Sequence, residues 1–297
     1  MAIVLQTTEE LKRYFDEDRS LGNRLIGECP ELVNSKVVFA DDANDNLLAF
    51  GNNVRLVDSS IVFQSCGSLF RVGANNRELK LQVDLHNDNT FAIGQRAYTN
   101  GPLRVILSER RNVVIGDDAL LSFGIWIRNA DPHLVFSAKT MRRVNPSKDV
   151  LIGDHVWIGQ SSLILKGSIV GSGAIIGGHA VVAGKRIPSN TSWAGNPAKC
   201  IAEGVFFDSS CVHRYTASQT SDSMTYDSEK WIYASDGRDS RLLKLSASME
   251  GCATPQERLA LLDEAFADSR HNRFAVPEDP RTPVAGLNCA RRWFKRK

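Results

Sequence analysis

Aliphatic residues return every six positions through the middle of the chain. From Ile152 they fall at Ile158, Ile164, Val170, Ile176 and Val182. The residues that follow them are Gly153, Gly159, Leu165, Gly171, Gly177 and Ala183, small in all but one case. Ile115, Leu121 and Ile127 continue the register upstream, and Ile93-Gly94 and Phe50-Gly51 read as earlier starts. Val62 and Val72 fit only loosely, so the early repeats are degenerate. A period of six is neither the 3.6 of a helix nor the 2 of an alternating strand. It describes a short strand and a turn, repeated. The aliphatic position points into a narrow core, and the small one sits where the backbone bends and neighbouring turns crowd. Three such units close a triangular coil of roughly 18 residues, and stacked coils bury one continuous column. The predicted fold is therefore mainly β, a parallel β-helix built from hexapeptide repeats over about residues 41–204.

The flanks carry helix signals. Thr7 and Glu10 form a capping-box pattern ahead of a predicted helix over residues 7–18, within an N-terminal cap of residues 1–40. Thr254, Pro255 and Glu257 mark a second helix start, inside a loop-rich and partly helical C-terminal extension, residues 205–297. Between Phe206 and Ser240 the chain is polar and without period, and reads as loop.

The rotation breaks after Ile127 and resumes at Ile152. The polar residues between cannot fill a coil interior, so residues 128–149 are expected to protrude as a loop, the usual place for functional groups on a rigid scaffold. His133 stands in this loop at a slot that would otherwise be aliphatic. Such local conflicts concentrate at functional sites, although a histidine that merely caps the coil is equally consistent with the pattern. His155 falls fourth in its hexad, at an outward corner shared with Ser161, Gly167, Gly173 and His179, and reads as a surface histidine.

Composition narrows the classes. Lys+Arg 36 against Asp+Glu 34 gives no field that would advertise a nucleic-acid partner. The six cysteines form no C-x-x-C pair, which argues against zinc fingers and suits a reducing compartment. With no leader pattern at the N-terminus and no apolar run approaching a membrane span, a cytoplasmic protein is expected. The tail from Arg281 carries six basic residues and no acidic one, together with Trp293 and Phe294. It reads either as a solvated terminus or as a contact for an anionic membrane surface.

The stretch "IGDHVWIGQSSLILKGSIVGSGAIIGGHAVVAGKRIPSNTSWAGNPAKCI", with its "WAGNPAK" ending, resembles the hexapeptide-repeat acyltransferases. It is most similar to the branch of galactoside, maltose, xenobiotic and capsular polysaccharide O-acetyltransferases. The resemblance implies a left-handed coil, a homotrimer with active sites between subunits, and acetyl-coenzyme A as donor. It implies that His133, followed 24 residues later by Trp157, marks the catalytic site. Acetyl transfer to a hydroxyl needs a base, and imidazole titrates in the right range. Backbone N–H groups near Gly159 and Gly177 are candidate oxyanion donors. Trp157 either packs against a neighbouring subunit or lines the acetyl and acceptor site. By the same resemblance Gln160, Gly178, Ala183 and Gly184 border the pantetheine arm, and Lys185 and Lys199 meet the coenzyme's phosphates.

Acceptor contacts fall to Arg104, Asn100, Asp131, Arg142 and Arg143. Relatives often carry an asparagine where Arg104 stands, and this departure leaves the acceptor open. Arginines there either pair with the carboxylate of an anionic glycan or are solvated charges. Asp131 is one candidate to orient His133, and loop carbonyls are another. Direct transfer makes Cys200 and Cys211 ordinary thiols. No metal is expected: a zinc β-helix needs three converging histidines, and His155 and His179 lie four hexads apart. The expected function is thus acetylation of a sugar hydroxyl in a bacterial capsular or lipopolysaccharide glycan. N-acetylation of a nucleotide-sugar amine or small xenobiotic is the nearest alternative, and a non-catalytic β-helix scaffold is the alternative from another class.

Overall fold

The hexad column is the core. Ile152, Ile158, Ile164, Val170, Ile176 and Val182 are all fully buried. They fall in rotation on three parallel sheets. Ile164 pairs with Val182 on the first, Ile152 with Val170 on the second, and Ile158 with Ile176 on the third. The computed structural model, which describes residues 2–17, 21–234 and 241–277, is a left-handed parallel β-helix. Eight strands make the first sheet, from Ile3–Leu5 to Val181–Ala183, and eight the second, from Arg24–Gly27 to Arg186–Ile187. The third face has two strands, Glu31–Val33 and Arg55–Val57, and then six from Tyr98–Thr99 to Lys199–Glu203. Ile3–Leu5 and Lys199–Glu203 run antiparallel to their neighbours and so end the stack. Parallel pairing already begins at Arg24–Gly27, within the stretch that sequence assigned to a helical cap.

The corners explain the small residues. His155, Ser161, Gly167, Gly173 and His179 share one slot, and all have φ between 50° and 76°. That left-handed turn excludes β-branched residues, hence the Gly, Ser and His found there. A Cβ on Gly116 would sit 2.6 Å from the Asp154 backbone nitrogen one coil on, so the inter-coil spacing itself requires glycine.

The early coils are wider, which is why their hexads blur. Ile61 pairs with Val83 and Val83 with Val105, a turn of 22 residues, whereas Ile164 to Val182 takes 18. The extra residues gather at the corner between the first and second sheets. Val105 to Ile115 is 10 residues there, and Ile164 to Val170 is 6. The wider bore holds larger side chains. Phe39, Phe63, Phe70 and Phe91 are fully buried, with Phe39 stacked on Phe63 at 5.0 Å and Phe70 on Phe91 at 5.3 Å. Val62 points outward between Ile61 and Phe63, which accounts for its loose fit.

Both predicted helix starts form. Helix α1, Thr8–Asp16, is capped by Thr7 and Glu10, and its buried Leu11 and Tyr14 join the open end of the core. The polar stretch after Phe206 is irregular except for short segments, the longest being α2, Ala217–Asp222. Helix α3, Arg241–Glu250, was not read from sequence. Helix α4, Pro255–Ala267, has the Thr254–Glu257 box. Leu242, Leu245 and Met249 of α3, with Leu259 and Leu262 of α4, cover Leu47, Leu69, Ala92, Val114 and Leu151 on the outer face of the second sheet. That sheet is therefore largely apolar on both sides, and parts of its strands read as unbroken apolar runs, as in Leu47–Phe50 and residues 113–115.

Arginines fasten the extension to the coils. Arg258 donates to the carbonyls of Asp88 and Gly67, and Arg71 pairs with Asp263 at 3.0 Å. Arg273 reaches Asp154 and Asp117, each at 2.8 Å. The basic tail from Arg281, with Trp293 and Phe294, lies outside the described residues. Among those described, no helix is long and apolar enough to cross a membrane.

Candidate active site

The loop after Ile127 leaves from the same corner that carries the extra residues of the wider coils. The corner of the preceding coil supplies its anchor. Glu109, in a left-handed turn, takes a two-pronged ion pair from Arg143 at 2.6 and 2.9 Å and the Ser147 hydroxyl at 2.5 Å. These bonds hold the Glu109 carboxyl down at about 2. Asn145 is the second anchor. Its side chain donates to the His133 carbonyl at 2.8 Å and to Asp131 at 3.0 Å, and accepts from the Val135 N–H. Lys166, one coil on, closes the set with bonds to Asp131 at 2.5 Å and to the Asn145 carbonyl at 3.0 Å.

Several expectations change here. Asp131 is engaged by Lys166, which together with Asn145 holds its carboxyl below the usual range. Arg143 is spent on Glu109 and is not a free acceptor contact. Arg142 and His133 are both exposed on the loop. Arg104 lies on the outer face of the first sheet, its guanidinium 4.8 Å over the Trp126 ring and bonded to Gln82 at 2.6 Å. Asn100 is exposed just past the strand Tyr98–Thr99. The Gly159 and Gly177 N–H groups donate to the Ile176 and Trp193 carbonyls at 2.7 Å, so the coil ladder uses these two N–H groups. Asn145, Glu109 and Lys166, which build the loop, went unread because nothing local in sequence marks contacts that bridge coils.

Trp157 stands on the outer face of the third sheet, in register with Leu120 and Ile175, and is 39% exposed. That sheet lies opposite the corner that bears the loop. One chain therefore does not bring Trp157 to His133. The donor residues divide in the same way. Gln160 and Gly178 are exposed at the corner between third and first sheets. Ala183, Gly184 and Lys185 lie at the loop-bearing corner, and Lys199 begins the last strand of the third sheet. The candidate residues thus fall into two groups, separated by the first sheet.

His155 is not a surface histidine. It is 2% exposed, sandwiched between Phe207 at 4.0 Å and Trp231 at 3.5 Å, with Nε2 donating to the Phe207 carbonyl at 3.0 Å. The hexad slot set its backbone correctly, but the extension covers that corner. Burial pushes its pKa down. The Phe207 carbonyl and the charges of Asp118 and Asp208 oppose the shift, and Lys230 adds to it. Its pKa thus lies lower folded than unfolded, so the unfolded chain binds the proton first and stability falls as pH drops below about 6.5. The thermal midpoint is expected to decrease between pH 7.5 and 5.5, and to decrease less in His155→Asn, which tolerates the same left-handed turn. Identical slopes for the two proteins in a pH-dependent melting series would remove His155 as the cause.

Comparison with known proteins agrees with the coil. Residues 149–184 match the family described as bacterial transferase hexapeptide (six repeats). A polysialic acid O-acetyltransferase of Neisseria meningitidis is 34% identical over 122 residues, 41% of this chain and 56% of that protein. One from Escherichia coli O1:K1 / APEC is 36% identical over 132 residues, 44% of this chain and 42% of that protein. The chain thus spans about half the length of these curated relatives. The crystal structure of the polySia-specific acetyltransferase NeuO superposes with a TM-score of 0.56 at 26% identity, covering 67% of this chain and 93% of that one. Its repeat and its coil stack are similar to those of the hexapeptide-repeat, left-handed β-helix acetyltransferases.

Proposed function

We propose that the protein transfers an acetyl group from acetyl-coenzyme A to a hydroxyl of an anionic capsular or lipopolysaccharide glycan, polysialic acid being the first candidate. What carries the reading is the long break in the repeat. A loop held by two anchors delivers an exposed histidine 24 residues before Trp157, in a chain similar to polysialic acid O-acetyltransferases. His133 takes the proton from the acceptor hydroxyl as its oxygen attacks the thioester carbonyl. The tetrahedral intermediate collapses, the C–S bond breaks, and the imidazolium returns the proton to the leaving thiolate. The products are an O-acetyl ester and free coenzyme A, with no covalent enzyme intermediate.

The two separated groups of candidate residues support a homo-oligomer, a trimer by family resemblance, in which the loop of one copy faces Trp157 of the next. Exposed apolar side chains at Tyr98, Phe123, Leu134, Val135, Phe136 and Trp157 suit such burial. Arg104 and Arg142 are the cations left to meet acceptor carboxylates, and Lys185 and Lys199 those for the coenzyme's phosphates. An acetyl-coenzyme A donor puts the reaction in the cytoplasm. The test measures free thiol release from acetyl-coenzyme A with polysialic acid, other uronic or sialic polymers, and neutral sugars. Acceptor-dependent release with an anionic polymer is expected. Protein that neither releases thiol nor is stabilised against heat by coenzyme A would defeat the enzyme reading.

A further inference from the structure

Four rings run from the C-terminal extension to the candidate site. Trp231 stacks on His155 with planes 8° apart, and His155 stacks on Phe207 with planes 4° apart. Phe207 then meets Trp157, with centroids at 5.8 Å and planes tilted by 49°. The inner rings are buried and the Trp157 end is not. His155 is 2% and Phe207 7% exposed, whereas Trp157 is 39% exposed. The inner rings are also held by backbone. Phe207 is gripped through its carbonyl by His155, at 3.0 Å. Asn190, at a corner of the last coil, donates to the Trp231 carbonyl at 2.9 Å and accepts from the Tyr233 N–H at 2.6 Å, and its own carbonyl takes the Val205 N–H at 2.9 Å. Both segments of the extension that supply rings are therefore tied to the coil stack on either side of His155.

The consequence falls on Trp157. It projects outward from a two-residue strand, Trp157–Ile158, whose outward neighbours in register are Leu120 and Ile175. Such a side chain on an open sheet face has several rotamers available. Phe207 lies against the indole, and Trp157 remains 39% exposed. From this we infer that Phe207 is a positioning residue. The extension fixes the indole plane of Trp157, so that its free face is presented to a sugar ring of the acceptor. The inference rests on the reading of Trp157 as an acceptor-site aromatic. A flat aromatic gains from stacking on a sugar only when its plane is set beforehand, and a small misplacement lowers turnover without removing any reacting group.

The experiment combines steady-state kinetics with near-ultraviolet circular dichroism on the full chain. The variants are Phe207→Ala, Phe207→Tyr and Trp157→Phe. The Trp157 dichroism band is defined as the signal lost in Trp157→Phe. Phe207→Ala is expected to lose most of that band. It should raise the KM for the glycan about 10-fold, leave the KM for acetyl-coenzyme A unchanged, and keep the far-ultraviolet spectrum. Phe207→Tyr restores both readouts, which a purely structural role would not require. A Phe207→Ala protein that keeps the band and the glycan KM, while Trp157→Phe raises that KM, overturns the inference and leaves the acceptor-site reading standing. A Trp157→Phe protein with wild-type glycan KM overturns the inference through its premise, and shows that the assignment of Trp157 is what failed.

Discussion

Replacing His133 by Ala is expected to lower acetyl transfer by about 100-fold or more, the usual worth of a positioned general base. The protein should fold normally, and the reason lies in how the loop is held. Asn145 bonds the backbone carbonyl of His133, which alanine keeps. The ion pairs that brace the loop, Glu109 with Arg143 and Lys166 with Asp131, are independent of the imidazole. The side chain itself is exposed, so its loss opens no cavity. The effect should appear in kcat, with the KM for acetyl-coenzyme A little changed, because in the proposed reaction the imidazole acts on the acceptor proton. Protection against heat by coenzyme A should persist. Near-normal turnover in this variant would take His133 out of the reaction.

The coil was legible because its physics is local. Every hexad repeats an inward aliphatic and a crowded corner, so Ile152 to Val182 could be assigned without knowing any distant contact. The two capping boxes are local for the same reason. Where the coil widens, the period of six fails, and Val62 was correspondingly ambiguous. The covered outer face of the second sheet had a signal that went unused. Leu47–Phe50 and residues 113–115 are apolar at consecutive positions, which a sheet with one solvated face does not need. The site divides in the same way. His133 is a candidate because it breaks a local pattern. Its supports did not, because Asn145 to Asp131, Glu109 to Arg143 and Lys166 to Asp131 join residues 14, 34 and 35 apart along the chain. His155 failed for the same reason. Its corner geometry is set by its hexad, but its burial comes from Phe207 and Trp231, 52 and 76 residues on.

The joint between extension and coil should be as sensitive as the site. Arg273 is about 6% exposed and bonds two carboxylates from consecutive coils, Asp154 at 2.8 and 2.9 Å and Asp117 at 2.8 Å. Those carboxylates also belong to the corner ladder. Asp154 accepts the Asp117 N–H at 2.7 Å and Asp117 accepts the Gln95 N–H at 2.9 Å. Burial pushes the Asp154 carboxyl up, and the hydrogen bonds and charge of Arg273 pull it back. Arg273→Met leaves two buried acids facing each other with only the half-exposed Arg96, 3.9 Å from Asp117, as a nearby cation, a loss of about 3–5 kcal/mol for a broken buried pair. The loss should shrink at low pH. Without its cation Asp154 binds a proton more readily folded than unfolded, and protonation removes the repulsion. The triple variant Asp117→Asn, Asp154→Asn, Arg273→Met is expected to recover most of the stability, since Asn keeps the acceptor oxygen that the ladder uses and carries no charge. Denaturant unfolding at pH 7.5 and 5.5, followed by tryptophan emission, reads all three effects. If Arg273→Met unfolds at the wild-type midpoint at both pH values, the ion pair is not what holds the extension on the coil, and the apolar contacts of α3 and α4 suffice.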